Sequence, residues 1–292
     1  MNTDSLLRGS FKDIDVRFIL AKTTQTVTTG IFTHNTDPVA SHIFGSSITC
    51  AALLSSLLTD RERYSVQWHY EGLIGGVVVD VNAEGHVRGI PKNTSLMSAM
   101  TKADLYGEKG HISIIKSVEG KILSSGTSET AMLDIADDVS FHFSTSDQIE
   151  TELVSVVNFN ADPENPVQIA GGFMMQALPG CDLKLFEKMR NAIKETSFLD
   201  ILTQNGNDEK KLHQVLKYLY EKTEKECPED ARQIASYEFG RSPVYQCTCS
   251  KEKMQNALRT IDPAELKELL KQPEGIKLKC DFCHTEYIIK EL

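Results

Sequence analysis

The sequence predicts an α+β fold in three parts. These are a sheet-plus-helix core over residues 1–180, an amphipathic helical middle segment over 181–242, and a small four-cysteine domain over 243–292. Three observations carry this reading. Apolar residues alternate at strand period around Val66 and recur at helical period elsewhere. Pro179-Gly180 punctuates the chain, and the charged fraction rises after it. Four of the seven cysteines fall beyond residue 246.

The elements follow in order. Asp37-Pro38 opens an apolar stretch, Val39 to Leu58, in which Ile43, Ile48, Ala51, Ala52 and Leu54 suit a buried helix with proline at its first position. Val66, Trp68 and Tyr70 alternate with Gln67 and His69 as in a half-buried strand. Leu73–Val81, Val-rich and interrupted by glycine, reads as its hairpin partner. Ile112–Ile115 and Leu153–Phe159 are further strands. Ala131–Phe143 has helical spacing, with Thr130 or Glu129 near its start. Val167–Leu178 reads as a strand broken by Gly171-Gly172, a pattern that signals a bulge or a close backbone approach. Long strands with few helices between them predict sheets packed on helices rather than a βαβ repeat.

Past Gly180 the apolar residues keep helical spacing: Leu183, Phe186, Met189 and Ile193, then Leu212, Val215, Leu216 and Leu219. This predicts a string of amphipathic helices through residue 246. Leu212, Val215, Leu216 and Leu219 form the stripe expected to dock on the core. A layer held by one face is expected to detach more easily than the core. In the last segment, Ser250–Thr260 and Pro263–Leu270 read as short helices, and Ile276–Lys279 with Glu286–Ile289 as a hairpin. A unit of this size has a small core and is expected to depend on a metal.

Composition bounds the function. The net charge is −10, from 31 basic and 41 acidic residues, with no Lys/Arg block of the kind phosphate contacts require. No nucleic-acid partner is expected. Asp4, Arg8, Lys12 and Asp13 interrupt any signal-peptide core, and no stretch reads as a membrane span. The expectation is a cytoplasmic protein with no membrane partner. In that reducing compartment a cysteine cluster favours metal binding or redox sensing over structural disulfides.

The cysteines are the most specific signal. Cys247-Thr-Cys249 and Cys280-Asp-Phe-Cys283 form a C-x-C and a C-x-x-C thirty residues apart. Two such pairs supply the four soft ligands of a tetrahedral zinc site, so Cys247, Cys249, Cys280 and Cys283 are expected to hold one Zn2+ per chain. His284 reads as an exposed turn residue, Cys227 as a bystander and Cys50 as a small core residue; Cys181 carries no signal. A closed four-thiolate site leaves no catalytic position, yet thiolates are what oxidants attack. The spacing alone leaves the site open as a staple or as a switch.

The sequence predicts no enzyme. There is no G-x-S-x-G, no Walker-type loop and no H-E-x-x-H. Thr33-His34-Asn35-Thr36-Asp37 reads as a loop that caps the following helix. A thiol–disulfide oxidoreductase using Cys280 and Cys283 lacks the preceding βα context.

VYQCTCSKEKMQNAL followed by CDFCHTEYII resembles the C-terminal zinc module of the heat shock protein 33 family of redox-regulated holdase chaperones. IAGGFMMQALPG at 169–180 resembles that family's Ala-Gly-Gly strand, FHFSTSDQIET at 141–151 its helix-end motif, and VRGIP at 87–91 its Arg-Gly turn. His284 stands where glycine or asparagine often follows the last cysteine. The resemblance spans essentially the whole chain. It implies a protein that is inactive when reduced and zinc-bound. Oxidation would then form Cys280–Cys283 and Cys247–Cys249 disulfides, release zinc, unfold the C-terminal unit and free the middle segment. It implies unfolded client proteins as partners and a homodimer in the oxidised, active state. The competing reading is a static zinc-ribbon module that binds protein or nucleic acid.

Overall fold

The computed structural model describes residues 4–225, 227–270 and 274–291. The first three residues of the expected core domain lie outside them. The chain divides into two compact units, residues 1–245 and 246–292.

The first unit is built on two sheets, antiparallel throughout except where one two-residue edge strand joins in parallel. β1 (Ser5–Phe11), β2 (Val16–Lys22), β8 (Thr151–Phe159) and β9 (Val167–Ala177) form one of them, closed at its edge by β10 (Ala235–Phe239), in the order β10-β1-β2-β9-β8. The other contains β3 (Glu62–Tyr70), β4 (Gly76–Asn82), β5 (His86–Pro91), β6 (Gly110–Val118) and β7 (Lys121–Glu129). A two-residue strand, β11 (Val244–Tyr245), closes it in parallel with β5, in the order β11-β5-β4-β3-β6-β7. Between the sheets lie α1 (Thr24–His34), α2 (Pro38–Leu54) and α4 (Ile135–Thr145). A short helix, α3 (Lys102–Tyr106), sits between β5 and β6.

α2 forms where the apolar stretch predicts it. Asp37 is extended, and its carboxylate accepts from the Ala40 amide at 2.8 Å, with Pro38 in the first turn. Apolar on nearly every face, it packs against both sheets, and Phe44, Ile48, Ala51, Leu53 and Leu54 are fully buried. The expectation that no stretch reads as a membrane span is amended. Pro38–Leu57 has the length and apolarity to cross one, but 83% of that window is buried inside the fold.

Strand alternation decides what each face of the five-stranded sheet touches. Leu6, Ile19, Ala21, Ala170 and Met174 point into the core between the sheets. Leu7, Phe18, Leu20, Phe173 and Met175 point the other way. That second face is covered by α5 (Leu183–Glu195), α6 (Phe198–Thr203) and α7 (Asp208–Glu221). The first unit is therefore a helical layer, a sheet, a helical layer and a second sheet.

Several local expectations are corrected. α4 starts at Asp134, not near Thr130, because the Asp134 carboxylate caps Ala136 and Asp137. The Asp138 carboxylate also accepts from the amides of Met132 and Asp134 and holds the preceding turn. β9 is continuous through Gly171-Gly172. The glycines serve close approach, since a Cβ on Gly171 would lie 2.7 Å from the Ala21 carbonyl oxygen and one on Gly172 2.8 Å from that of Val154. Val87–Pro91 lies in strand β5 rather than a turn. Thr33 and His34 end α1, with left-handed Asn35 as its C-cap. The helical run past Gly180 stops at Glu221, and β10 and β11 follow. Leu183 is exposed.

The second unit holds α8 (Lys251–Leu258), α9 (Pro263–Leu270) and a hairpin of β12 (Ile276–Lys279) and β13 (Glu286–Ile289). Among the described residues its core is small: Leu258, Ile276 and Ile289 are buried, with Met254, Ile261, Leu266, Leu278 and Tyr287 packed around them.

Candidate metal centre and the layer over the sheet

Two turns build the cysteine cluster. Cys247 and Cys249 precede α8, whose N-cap Ser250 accepts from the Lys253 amide. Cys280 and Cys283 lie in the turn between β12 and β13. There the Cys280 amide donates to the Thr285 carbonyl at 2.9 Å and the His284 amide to the Cys280 carbonyl at 2.7 Å. His284 supplies the left-handed conformation that this tight turn needs, with φ of 57°, and its side chain is exposed.

All four Sγ atoms lie within 4.8 Å of one another. Cys247 and Cys280 are 3.7 Å apart, and Cys249 and Cys283 3.4 Å. A tetrahedron of sulfurs 2.3 Å from a central ion has edges of about 3.8 Å. The cluster therefore fits one tetrahedral metal ion with soft ligands.

Two further side chains serve the sulfurs. The Tyr287 hydroxyl lies 3.0 Å from Sγ of Cys249, and the Thr285 hydroxyl 3.2 Å from Sγ of Cys283. Sequence reasoning missed both. Tyr287 shares one face of β13 with buried Ile289, a period-two signal that could have placed it inward. Burial pushes the Cys280 thiol up to about 12 and raises that of Cys249. At Cys283 burial acts in the same direction, but hydrogen bonds from Thr285 and the neighbouring sulfurs outweigh it and bring the thiol down to about 7.

The other cysteines stand apart. Cys50 is fully buried in α2, and burial raises its thiol far above the ordinary range. Cys181 and Cys227 are half-buried against the helical layer, and burial raises both.

Within the first unit, Leu212, Val215, Leu216 and Leu219 of α7 are all fully buried. They join Phe186, Met189 and Ile193 of α5, and Phe198, Ile201 and Leu202 of α6, over Phe18 and Phe173 of the sheet. Polar contacts frame this apolar seam. Arg190 and Lys194 of α5 reach Glu150, Glu152 and Asp137. The Tyr220 hydroxyl and Lys225 reach Asp13, and the Ser5 hydroxyl donates to Asp208 at 2.7 Å.

The Hsp33 protein family model matches residues 4–290. The 33 kDa chaperonin of Staphylococcus aureus strain Newman is 29% identical over 98% of this chain and 95% of its own length. That of strain MRSA252 matches equally. Among solved structures, the 33 kDa chaperonin (heat shock protein 33 homolog) of Thermotoga maritima superposes with a TM-score of 0.78 at 23% identity. That match covers 98% of this chain and 94% of the other.

Proposed function

The chain belongs to the Hsp33 family of chaperones, and from that membership we propose that it is a redox-regulated holdase, inactive when reduced and loaded with Zn2+. One observation carries the reading. Four sulfurs spaced for a single ion sit in a unit with only a small apolar core. Such a unit leans on its metal to stay folded.

Bound Zn2+ would hold Cys247, Cys249, Cys280 and Cys283 as thiolates and tie the turn before α8 to the β12–β13 hairpin. The protein residues supply the rest. Peroxide takes two electrons from one thiolate of the Cys280, Cys283 pair. This gives a sulfenic acid, with the other peroxide oxygen leaving as hydroxide that takes a proton from solvent. The second thiolate attacks that sulfur, forms the disulfide and expels a second hydroxide, which solvent also protonates. Cys247 and Cys249 close in the same way with a second peroxide. Four ligands are then lost, and the small core cannot hold the unit.

The middle segment, residues 181–242, is the regulatory layer in this proposal. Its apolar face and that of the sheet beneath it are the surfaces offered to unfolded clients once it lifts. The oxidised protein acts as a homodimer. An acidic chain without a Lys/Arg block in its sequence fits neither nucleic acid nor an anionic membrane surface. The cytoplasm, which is reducing, would keep the thiolates loaded.

The test is zinc content together with suppression of client aggregation, before and after peroxide. Loss of zinc with no client protection would favour a static zinc module instead.

A further inference from the structure

Tyr245 ends the first unit, two residues before Cys247. Its ring packs against the core between the sheets. Its hydroxyl donates to the Gly89 carbonyl at 3.1 Å, receives the Gly89 amide at 3.4 Å and lies 3.1 Å from Nε2 of His34. α1 carries a glycine where the ring sits, and β5 carries one against Phe44. A Cβ on Gly30 would come within 3.0 Å of the Tyr245 ring and 2.6 Å of Ile48. One on Gly89 would come within 2.7 Å of Phe44, whose ring stands edge-on to His34 at 5.3 Å. The backbone around Tyr245 is extended. Val244 and Tyr245 pair in parallel with His86 and Val87, and the Val244 amide donates to the Gly85 carbonyl at 3.0 Å. Among the described residues, β11 is the only strand paired with this edge of β5.

We infer that this is a receptor for an extended peptide segment bearing one aromatic residue, occupied in the resting protein by Val244–Tyr245. The inference rests on the chaperone reading above and names the client feature that one site would take. A single residue, Gln246, links Tyr245 to Cys247, and β11 is only two residues long. Unfolding of the cysteine unit leaves Val244–Tyr245 held by these local contacts alone, so that a competing extended segment can displace them. The vacated slot offers an aromatic-sized hollow with a hydrogen-bonding floor at Gly89 and His34. Beside it runs the open edge of β5, which completes a strand on any extended chain. Unfolded polypeptide carries such segments, and folded proteins bury them.

The experiment uses the full-length, reduced, zinc-loaded chain carrying Tyr245→Ala, which empties the slot without oxidation. The probes are a fluorescein-labelled octapeptide of alternating Val and Thr with one central Tyr, and the same peptide with Ala in place of Tyr. The variant is expected to bind the Tyr peptide about tenfold more tightly than the Ala peptide. Hydrogen exchange should slow at Val87 and Gly89 on binding. Tyr245→Phe should keep the slot filled and bind neither, like the reduced wild type. If Tyr245→Ala is folded by circular dichroism and shows no preference between the peptides, the slot is not a receptor. The same conclusion follows if the variant only dimerises through a second copy's strand. If it fails to fold, peroxide-treated wild type with the same two peptides decides the matter, equal affinities overturning the inference. Failure of wild type to protect clients after peroxide would count against the redox switch alone, because the variant's slot opens without it.

Discussion

Nζ of Lys194 on α5 lies 3.3 Å from Oε1 of Glu152 on β8, a carboxylate only 2% exposed. Nε of Arg190 stands 3.5 Å from the other oxygen of the same group, and Asp137 on α4 also faces Lys194. The helical layer is thus tied to the sheet by a buried acid as well as by its apolar seam. Burial is the dominant influence on Glu152 and raises it to about 7; Asp137 adds to this, while Lys194 and Arg190 oppose it.

The sign of the pH effect follows. A carboxyl raised above its unfolded value of about 4.3 contributes stability that is full below that value and lost as pH rises through about 7. The layer should therefore be held more firmly at pH 6 than at pH 8. Glu152→Gln should remove that dependence and gain roughly 1–3 kcal/mol over wild type at pH 8. Urea melts of the two proteins at both pH values measure it. A wild-type curve no steeper with pH than that of the variant rejects the assignment.

Metal content is the second expectation. Protein purified under reductant should carry one zinc per chain, and Cys280→Ser should lose most of it. Cys50→Ser, Cys181→Ser and Cys227→Ser should keep full occupancy, since those sulfurs lie outside the cluster. Elemental analysis decides, and unchanged zinc in Cys280→Ser would contradict the ligand set.

Leu216 and Leu219 are fully buried between α7 and the sheet. Burial of each is worth roughly 1.5–3 kcal/mol, and a carboxylate in the same place adds a desolvation cost. Leu216→Asp with Leu219→Asp should free the helical layer, speed amide exchange in α5–α7 and give client protection without oxidant. Wild-type exchange and no protection would show that the layer is not the gate.

Asp37 does more than cap α2. Besides Ala40, its carboxylate accepts from the amides of Leu96 at 2.5 Å and Met97 at 2.8 Å. Asp37→Ala should cost about 2–3 kcal/mol, more than the loss of a simple N-cap. Asp37→Asn should recover part of it. Chemical denaturation gives both numbers, and a cost below about 1 kcal/mol would mean that the Leu96–Met97 loop is held by other contacts.

Legibility varied with how local each signal was. The β12–β13 hairpin was readable to the residue, because strand alternation and the C-x-x-C turn both lie within fifteen residues. α2 was readable from its apolar run and Asp37-Pro38. α1 was missed because TQTVTTGIFTH is rich in threonine and carries a glycine, a composition that favours strand or turn. Its helix is stabilised by packing and by Asp4, whose carboxylate accepts from the amides of Gln25 and Thr26. β10 was missed because ASYEF has no isolated strand signature. It becomes a strand by pairing with β1, more than 200 residues away, at a point where Gly9 lets the Ser236 backbone come close.

By itself the sequence determined the four-cysteine set, the apolar stripe of α7 and the buried nature of α2. Each depends only on residue type and on spacing within a turn or a helix. Tertiary structure alone decided which late segments close the two sheets and which side chains lie against the sulfurs. It also turned Glu152 from an ordinary strand residue into a buried acid. These outcomes require segments far apart in the chain to meet. Local periodicity fixes which face of an element is apolar, but it does not say what that face, or an open sheet edge, will find.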